Sequence, residues 1–150
     1  MNIQDINIKL IKENAITPTY GSTFAAGADL YAAIDEKITI KPGETAFIGT
    51  GIVFEIPTGF VGLVYARSGL GCKKGLAPSN KVGVIDSDYR GELIVALHNH
   101  SQELHEINPN DRIAQIVFTP YLKGNFQVVD DLTDTTRGTG GFGSTDKENK

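Results

Sequence analysis

Two carboxylates, a hydroxyl, a phenol and a guanidinium occupy five consecutive positions, Asp86-Ser87-Asp88-Tyr89-Arg90. A solvent turn uses Asp and Ser, whose short side chains bond nearby backbone groups. It has no use for the whole set. A pocket that reads a small polar molecule and moves a proton uses most of it, with a carboxylate to orient water and accept its proton. A second group, Arg67-Ser68-Gly69, pairs a guanidinium with a hydroxyl. Arg grips phosphate or carboxylate at two points. All four arginines, Arg67, Arg90, Arg112 and Arg137, lie beside Gly, Ser or acidic residues in polar segments. Such placement suits surface ion pairs and suits anion ligands. A third group runs from Arg137 through Gly138 and Gly140 to Phe142, Gly143, Ser144 and Thr145. Glycines free backbone amides to wrap a phosphate, and a lone Phe can stack on a flat ring. No Gly-Lys-Ser/Thr follows, so this is not a Walker loop.

These groups need a frame, and the apolar pattern predicts one made of strands. Residues 6–11 and 37–41 alternate apolar and polar side chains. Residues 45–49, 52–56 and 60–65 are short apolar runs parted by Gly51 and Pro57-Thr58-Gly59. Residues 25–33 are rich in Ala; Gly27 and the lack of a 3.6-residue period favour a strand over a helix. Within it, Asp29 stands among apolar neighbours, where a carboxylate needs partners. Ser68 is expected to cap a short helix whose first amides face outward. Residues 80–91 read as a β-hairpin: Val82, Val84 and Ile85 lead into the polar corner, and Gly91 opens a second run at 93–97. Residues 112–118 are expected to be a buried strand whose one internal polar residue, Gln115, must be paired or meet a ligand. Residues 126–129 are expected to be the last strand. Strands every 8–12 residues with Gly or Pro between them indicate an all-β sandwich or barrel. Residues 1–130 are then one domain. Residues 131–150, polar and Gly-rich, form a flexible arm that can span up to roughly 65 Å when extended.

Composition narrows the function classes. At 150 residues, 40% hydrophobic and 21% charged, the chain is a globular domain with a sizeable core. A net charge of −4 argues against general nucleic-acid binding. No apolar run of membrane-spanning length exists, and Met1 to Asp5 lack the basic start and apolar core of a signal peptide. Cys72 stands alone, so no internal disulfide forms; a cytoplasmic location is expected. His98 and His100 fall on one face of a strand, with His105 nearby. No Cys or carboxylate cluster completes a metal site there, so exposed or hydrogen-bonded histidines are expected.

Five pieces stand in a fixed order: AGADLYA (26–32), ARSGLG (66–71), NKVGVIDSDYRGEL (80–93), DRIAQIVF (111–118) and RGTGGFGST (137–145). The series resembles the five motifs of the homotrimeric deoxyuridine triphosphate nucleotidohydrolases, the dUTPases, over essentially the whole chain. The resemblance implies a jelly-roll-like fold and hydrolysis of dUTP to dUMP and pyrophosphate, which limits uracil in DNA and supplies dUMP for thymidylate synthesis. It implies Asp86 as the base that activates water. Asn80, the backbone of Gly83, Val84 and Ile85, and the backbone of Ile94 would border uracil. Tyr89 would pack on the deoxyribose and exclude a 2′-hydroxyl. Arg67, Ser68, Gly69 and Gln115 would hold phosphates, with Asp29 acting through water near a Mg²⁺ otherwise held by the substrate. Arg137, Phe142, Gly143 and Ser144 would form a lid. Each site would be built from three chains: one giving the first, second and fourth motifs, another the hairpin, a third the arm. Arg112 reads as an ion-pair residue supporting the site. No nucleic-acid or membrane partner is implied. Two other readings share this pattern: a dCTP deaminase of related fold, and a nucleotide-responsive regulatory protein. Deaminases of this kind use a Glu at the chemical step, whereas Asp86 stands in VIDSDYRG here.

Overall fold

The structure is a computed structural model describing residues 3–142. Among them the chain forms twelve strands and one seven-residue helix. No helix among them is long and apolar enough to cross a membrane. The all-β expectation holds, in its sandwich form: the strands divide among four antiparallel sheets that do not close into a barrel.

The largest sheet has five strands. In spatial order these are β2 (Thr19–Tyr20), β3 (Ala28–Tyr31), β12 (Arg112–Pro120), β7 (Phe60–Tyr65) and β9 (Gly83–Ile85). A second sheet places β10 (Ile94–Asn99) between β5 (Thr45–Gly49) and β8 (Leu76–Pro78). Two ribbons complete the frame: β1 (Asn7–Leu10) with β6 (Ile52–Glu55), and β4 (Ile38–Ile40) with β11 (His105–Ile107). Period-two patterning decides which side chains face inward. Along β10, Val95, Leu97 and Asn99 are buried while Ile94 is exposed. These side chains meet Leu30 of β3, Ile48 of β5, Ile52 of β6 and Ile116 of β12, all fully buried. Each fully buried aliphatic side chain of this kind contributes roughly 1.5–3 kcal/mol.

Three local expectations change. The ribbon at 80–91 is not a hydrogen-bonded hairpin. Its first arm, β9, pairs with β7 (Val64 opposite Gly83, Gly62 opposite Ile85). Its second arm, β10, pairs with β5 and β8. The corner therefore crosses from one sheet to the other. The residues at 126–129 form no strand: Phe126 and Val128 are almost wholly exposed, and no sheet edge within the chain receives them. A β-prone sequence needs an edge to pair with. Finally, helix α1 (Ser68–Lys74) has Arg67 as its N-cap, with no side-chain capping bond. Ser68 is already helical, so it does not act as the expected cap.

Asn99 shows how the second sheet is fastened. It is fully buried. Its amide donates to the carbonyls of Ile40 (2.9 Å) and Glu103 (2.7 Å), and its oxygen accepts from the backbone N–H (2.9 Å) and hydroxyl (2.8 Å) of Ser101. All its polar capacity is thus matched inside the protein. Asn99→Leu would strand those partners in an apolar setting. It should destabilise the fold by about 3 kcal/mol, read as a lower urea midpoint at fixed protein concentration.

Candidate active site

Because its two arms belong to different sheets, the ribbon opens into a groove. One end, of about 190 Å³, is walled by Val84, Ile85, Asp86, Tyr89 and Ile94. The other, of about 120 Å³, is walled by Asn80, Gly83, Val84, Ile85 and Ile94. The shared walls make the two continuous. β9 is an edge strand bonded only to β7, so alternate backbone N–H and C=O groups face the groove without a ladder partner. Gly83 lets the strand lie against β7: a Cβ there would sit 3.2 Å from the Cβ of Val64 and 3.6 Å from Nδ2 of Asn80. The turn that delivers Asn80 passes through Lys81 at φ 67°, a left-handed conformation unusual for a side-chain-bearing residue.

The corner is braced from within. Arg90 donates from Nη1 to the carbonyls of Ser87 (2.7 Å) and Tyr89 (3.0 Å), and the Tyr89 N–H donates to the Asp86 carbonyl (3.2 Å). Arg90 is thus a staple of the turn. The Asp86 side chain is exposed at the lip, and no ion pair among the described residues includes it. It is open to water.

A second constellation lies on the five-stranded sheet. Gln115 of β12 stands opposite Asp29 of β3 on one side and Tyr65 of β7 on the other. Opposed residues of antiparallel strands share a face. The β3–β12 register then slips by one, so that Arg112 opposes Tyr31 while Ala114 opposes Leu30. Without that bulge Arg112 would oppose Ala32 and point to the other face. With it, Arg112 joins Asp29 and Gln115, as bulges re-aim side chains elsewhere. Asp29 is 8% exposed. It accepts from Arg67 Nε at 2.6 Å and from Arg112 Nη1 at 3.2 Å. Arg112 is therefore ion-paired to Asp29. One carboxylate between two guanidiniums leaves a local excess of positive charge, and the hydrogen bonds of Arg67 use only its Nε. Gln115 donates to the Ala66 carbonyl (2.9 Å) and its oxygen fills the space a Cβ on Gly27 would need. Ser68 and Gly69 are exposed beside Arg67.

The two constellations do not merge. No hydrogen bond or ion pair among the described residues links the groove to the arginine cluster. Among the described residues the Arg137 side chain bonds locally, Nε to the Gly140 carbonyl at 2.9 Å, and Phe142 is fully exposed at φ 48°. Gly143 and Ser144 lie outside the described residues. Sequence reasoning missed the bulge and the glycine contacts. Gly27 carries a faint signal as a small residue in a strand; the bulge carries none.

Among the described residues no three His, Cys, Asp or Glu side chains group to hold a metal. Asp29 already has two guanidinium partners. The set does not fit a protein cage. It fits a cation carried mainly on phosphate oxygens, the usual mode for Mg²⁺ with nucleotides.

The histidines are hydrogen-bonded. His98 Nδ1 lies 2.8 Å from the Thr45 hydroxyl, and His105 Nε2 lies 3.0 Å from that of Ser101. His100 meets His98 edge to face, with centroids 4.3 Å apart, and Lys81 Nζ at 3.3 Å. Desolvation by packed neighbours, then the Lys81 ammonium, then His98 lower the pKa of His100 below 6.5. The folded chain then takes up that proton less readily than the unfolded one, so its contribution is intact above 6.5 and is lost as pH falls. Acidification below about 6.5 should lower the thermal midpoint more in the wild type than in His100→Gln, measured by melting across pH 7.5 to 5.5.

Residues 13–146 match the family model for dUTPase. The deoxyuridine 5′-triphosphate nucleotidohydrolase of Desulfitobacterium hafniense (strain DSM 10664 / DCB-2) is 47% identical over 148 residues, covering 97% of this chain and 98% of that protein. The enzyme of the same name from Paraburkholderia phytofirmans is 45% identical over 131 residues, covering 87% and 88%. A mutant dUTPase of Staphylococcus bacteriophage 80alpha, solved with dUpNHpp, superposes with a TM-score of 0.84 at 28% identity, covering 95% and 99%. A mutant from phage phi11 of S. aureus, solved with a structural Mg(II) ion, gives 0.77 at 27%, covering 85% and 98%. A family-model match over residues 13–146 and relatives 45–47% identical along most of the chain mean that the chain belongs to the dUTPase family.

Proposed function

We propose that the protein hydrolyses dUTP to dUMP and pyrophosphate, and that the opened ribbon is where it reads the base. The observation that carries this is an unpaired strand edge beside an exposed carboxylate. Uracil presents two carbonyl acceptors and one N–H donor along one edge. The free N–H and C=O groups of residues 83–86, with the Asn80 amide, match such an edge. Cytosine reverses part of the pattern and would leave groups unpaired, a penalty of about 1–3 kcal/mol per group. Close backbone at β9 and Ile94 leaves no room for the methyl of thymine. Tyr89 packs on the deoxyribose. Asp86 orients the attacking water and takes its proton as that water approaches the α-phosphorus in line with the departing oxygen.

Arg67, Ser68, Gly69 and Gln115 hold the phosphate chain, with Arg112 and Asp29 fixing the Arg67 fork. Mg²⁺, when bound on the phosphates, supplies charge neutralisation for the leaving pyrophosphate. Asp29 would hold it through water.

The site is shared in a homotrimer. Support comes from the separation of the groove and the arginine cluster within one chain, and from the exposed apolar residues Leu122, Phe126 and Val128, which a neighbouring subunit would cover. The arm at 131–150 then reaches a third chain. There Phe142 lies over the base, and Arg137, Gly143 and Ser144 meet the γ-phosphate. Nucleotide substrate, an unpaired Cys72 and the acidic net charge favour a cytoplasmic enzyme that engages neither nucleic acid nor membrane.

Pyrophosphate release should be strong with dUTP and Mg²⁺ and weak with dCTP, dTTP and UTP; equal rates on dUTP and UTP would sink the reading. Asp86→Asn should lower kcat by at least about 10²-fold with dUTP affinity largely kept, and near-normal kcat would remove Asp86 as the base. A chain ending before Arg137 should fold and assemble as the full chain does but turn over dUTP poorly. Full activity from it would show that the arm is dispensable.

A further inference from the structure

Tyr89 excludes a 2′-hydroxyl only if its ring cannot yield. A shift of about 1 Å is enough to spoil such selection. Yet Tyr89 is 46% exposed and sits on a loop, so something must hold it. We propose that Glu92 is the positioning residue for sugar specificity, anchoring Tyr89 through the turn between β5 and β6. This rests on the reading of Tyr89 as the residue that faces the deoxyribose.

The chain of contacts is continuous. The Tyr89 hydroxyl donates to the backbone carbonyl of Glu92 at 3.1 Å. The ring lies over Gly91 so closely that a Cβ there would run into it. The Glu92 carboxylate then leaves the loop and enters the frame. It accepts from the Gly51 N–H at 2.8 Å and from Lys12 Nζ at 3.0 Å. It fills the space a Cβ on Gly49 would need. Its side chain is 21% exposed, well shielded for an acid. Gly51 itself stands at φ 67°, packed against Ala15, Lys12 and Ala33. Lys12 donates onward to the Ala33 carbonyl at 3.3 Å. The next residue is fixed at the same turn: the Leu93 carbonyl accepts from both the N–H (3.0 Å) and the hydroxyl (2.8 Å) of buried Thr50, and the Leu93 N–H donates to Ile52 (2.8 Å). Carbonyl 92, the only hydrogen-bond partner of the Tyr89 hydroxyl among the described residues, is thus held from both sides. The Glu92 side chain is the half of that clamp that can be removed without touching the core.

The test is steady-state hydrolysis of dUTP and UTP by full-length Glu92→Ala, Glu92→Gln and Tyr89→Phe, with Mg²⁺ present. Glu92→Ala should lower the dUTP:UTP ratio of kcat/KM by about tenfold, chiefly because UTP improves through a lower KM. Glu92→Gln keeps an acceptor for Gly51 and should stay within about threefold of the wild-type ratio. Tyr89→Phe should lower the ratio, and combining it with Glu92→Ala should add less than the sum of the two. A ratio in Glu92→Ala equal to the wild type's, or dUTP and UTP falling by one common factor, would overturn the inference, the second outcome marking a merely structural role. Should Glu92→Ala fail to fold, Lys12→Ala and Tyr89→Phe carry the same comparison, and an unmoved ratio in both would overturn it. Wild-type protein inactive on dUTP would instead sink the functional reading beneath it.

Discussion

The groove exists because one carbonyl is held twice. Leu93 accepts from both donors of Thr50, and its own N–H is taken by Ile52. Those bonds commit the second arm of the ribbon to the β5–β10–β8 sheet, just as β7 commits the first arm to the other sheet. Two strands that lead into one tight corner would ordinarily bond each other. Here neither can, so backbone donors and acceptors are left facing a narrow gap. An unpaired buried edge would be a liability. An edge that a planar base can satisfy becomes a recognition surface.

The second element is electrostatic. An acidic chain can hold a polyanion if its cations are local. Asp29 gathers Arg67 and Arg112 on one face, and the one-residue slip in β12 makes the gathering possible by turning Arg112 across the sheet. Asp29 sets the orientation of the Arg67 guanidinium, and a fork held at its Nε loses less freedom when its remaining nitrogens engage an anion. The groove and the arginine cluster stay apart within one chain, and among the described residues no hydrogen bond or ion pair ties 131–142 to either.

Much of this was legible. Apolar patterning and the Gly and Pro breaks located nine of the twelve strands, because burial of one face acts on each short segment by itself; the two- and three-residue strands β2, β8 and β11 are too short to show such a pattern. The five stretches that resemble the dUTPase motifs stood in order, and they pointed to the family that the chain belongs to. The misreadings share a cause. Residues 80–97 look like a hairpin because a turn between two apolar runs is a hairpin when nothing else competes for the arms. Residues 126–129 look like a strand because they are β-prone, but they pair with no strand among the described residues.

What the sequence determined alone was local: the strand frame, the polar corner at 86–90, the Gly-rich arm, and hence the family and its chemistry. What the tertiary structure decided was partnership. Whether β9 bonds β10 or β7, whether Arg112 points toward Asp29 or away, and what pins Glu92 are settled by contacts between residues 19 to 83 positions apart. Hydrogen-bond registry across such distances depends on how whole sheets stack, and no short window of residue types encodes it.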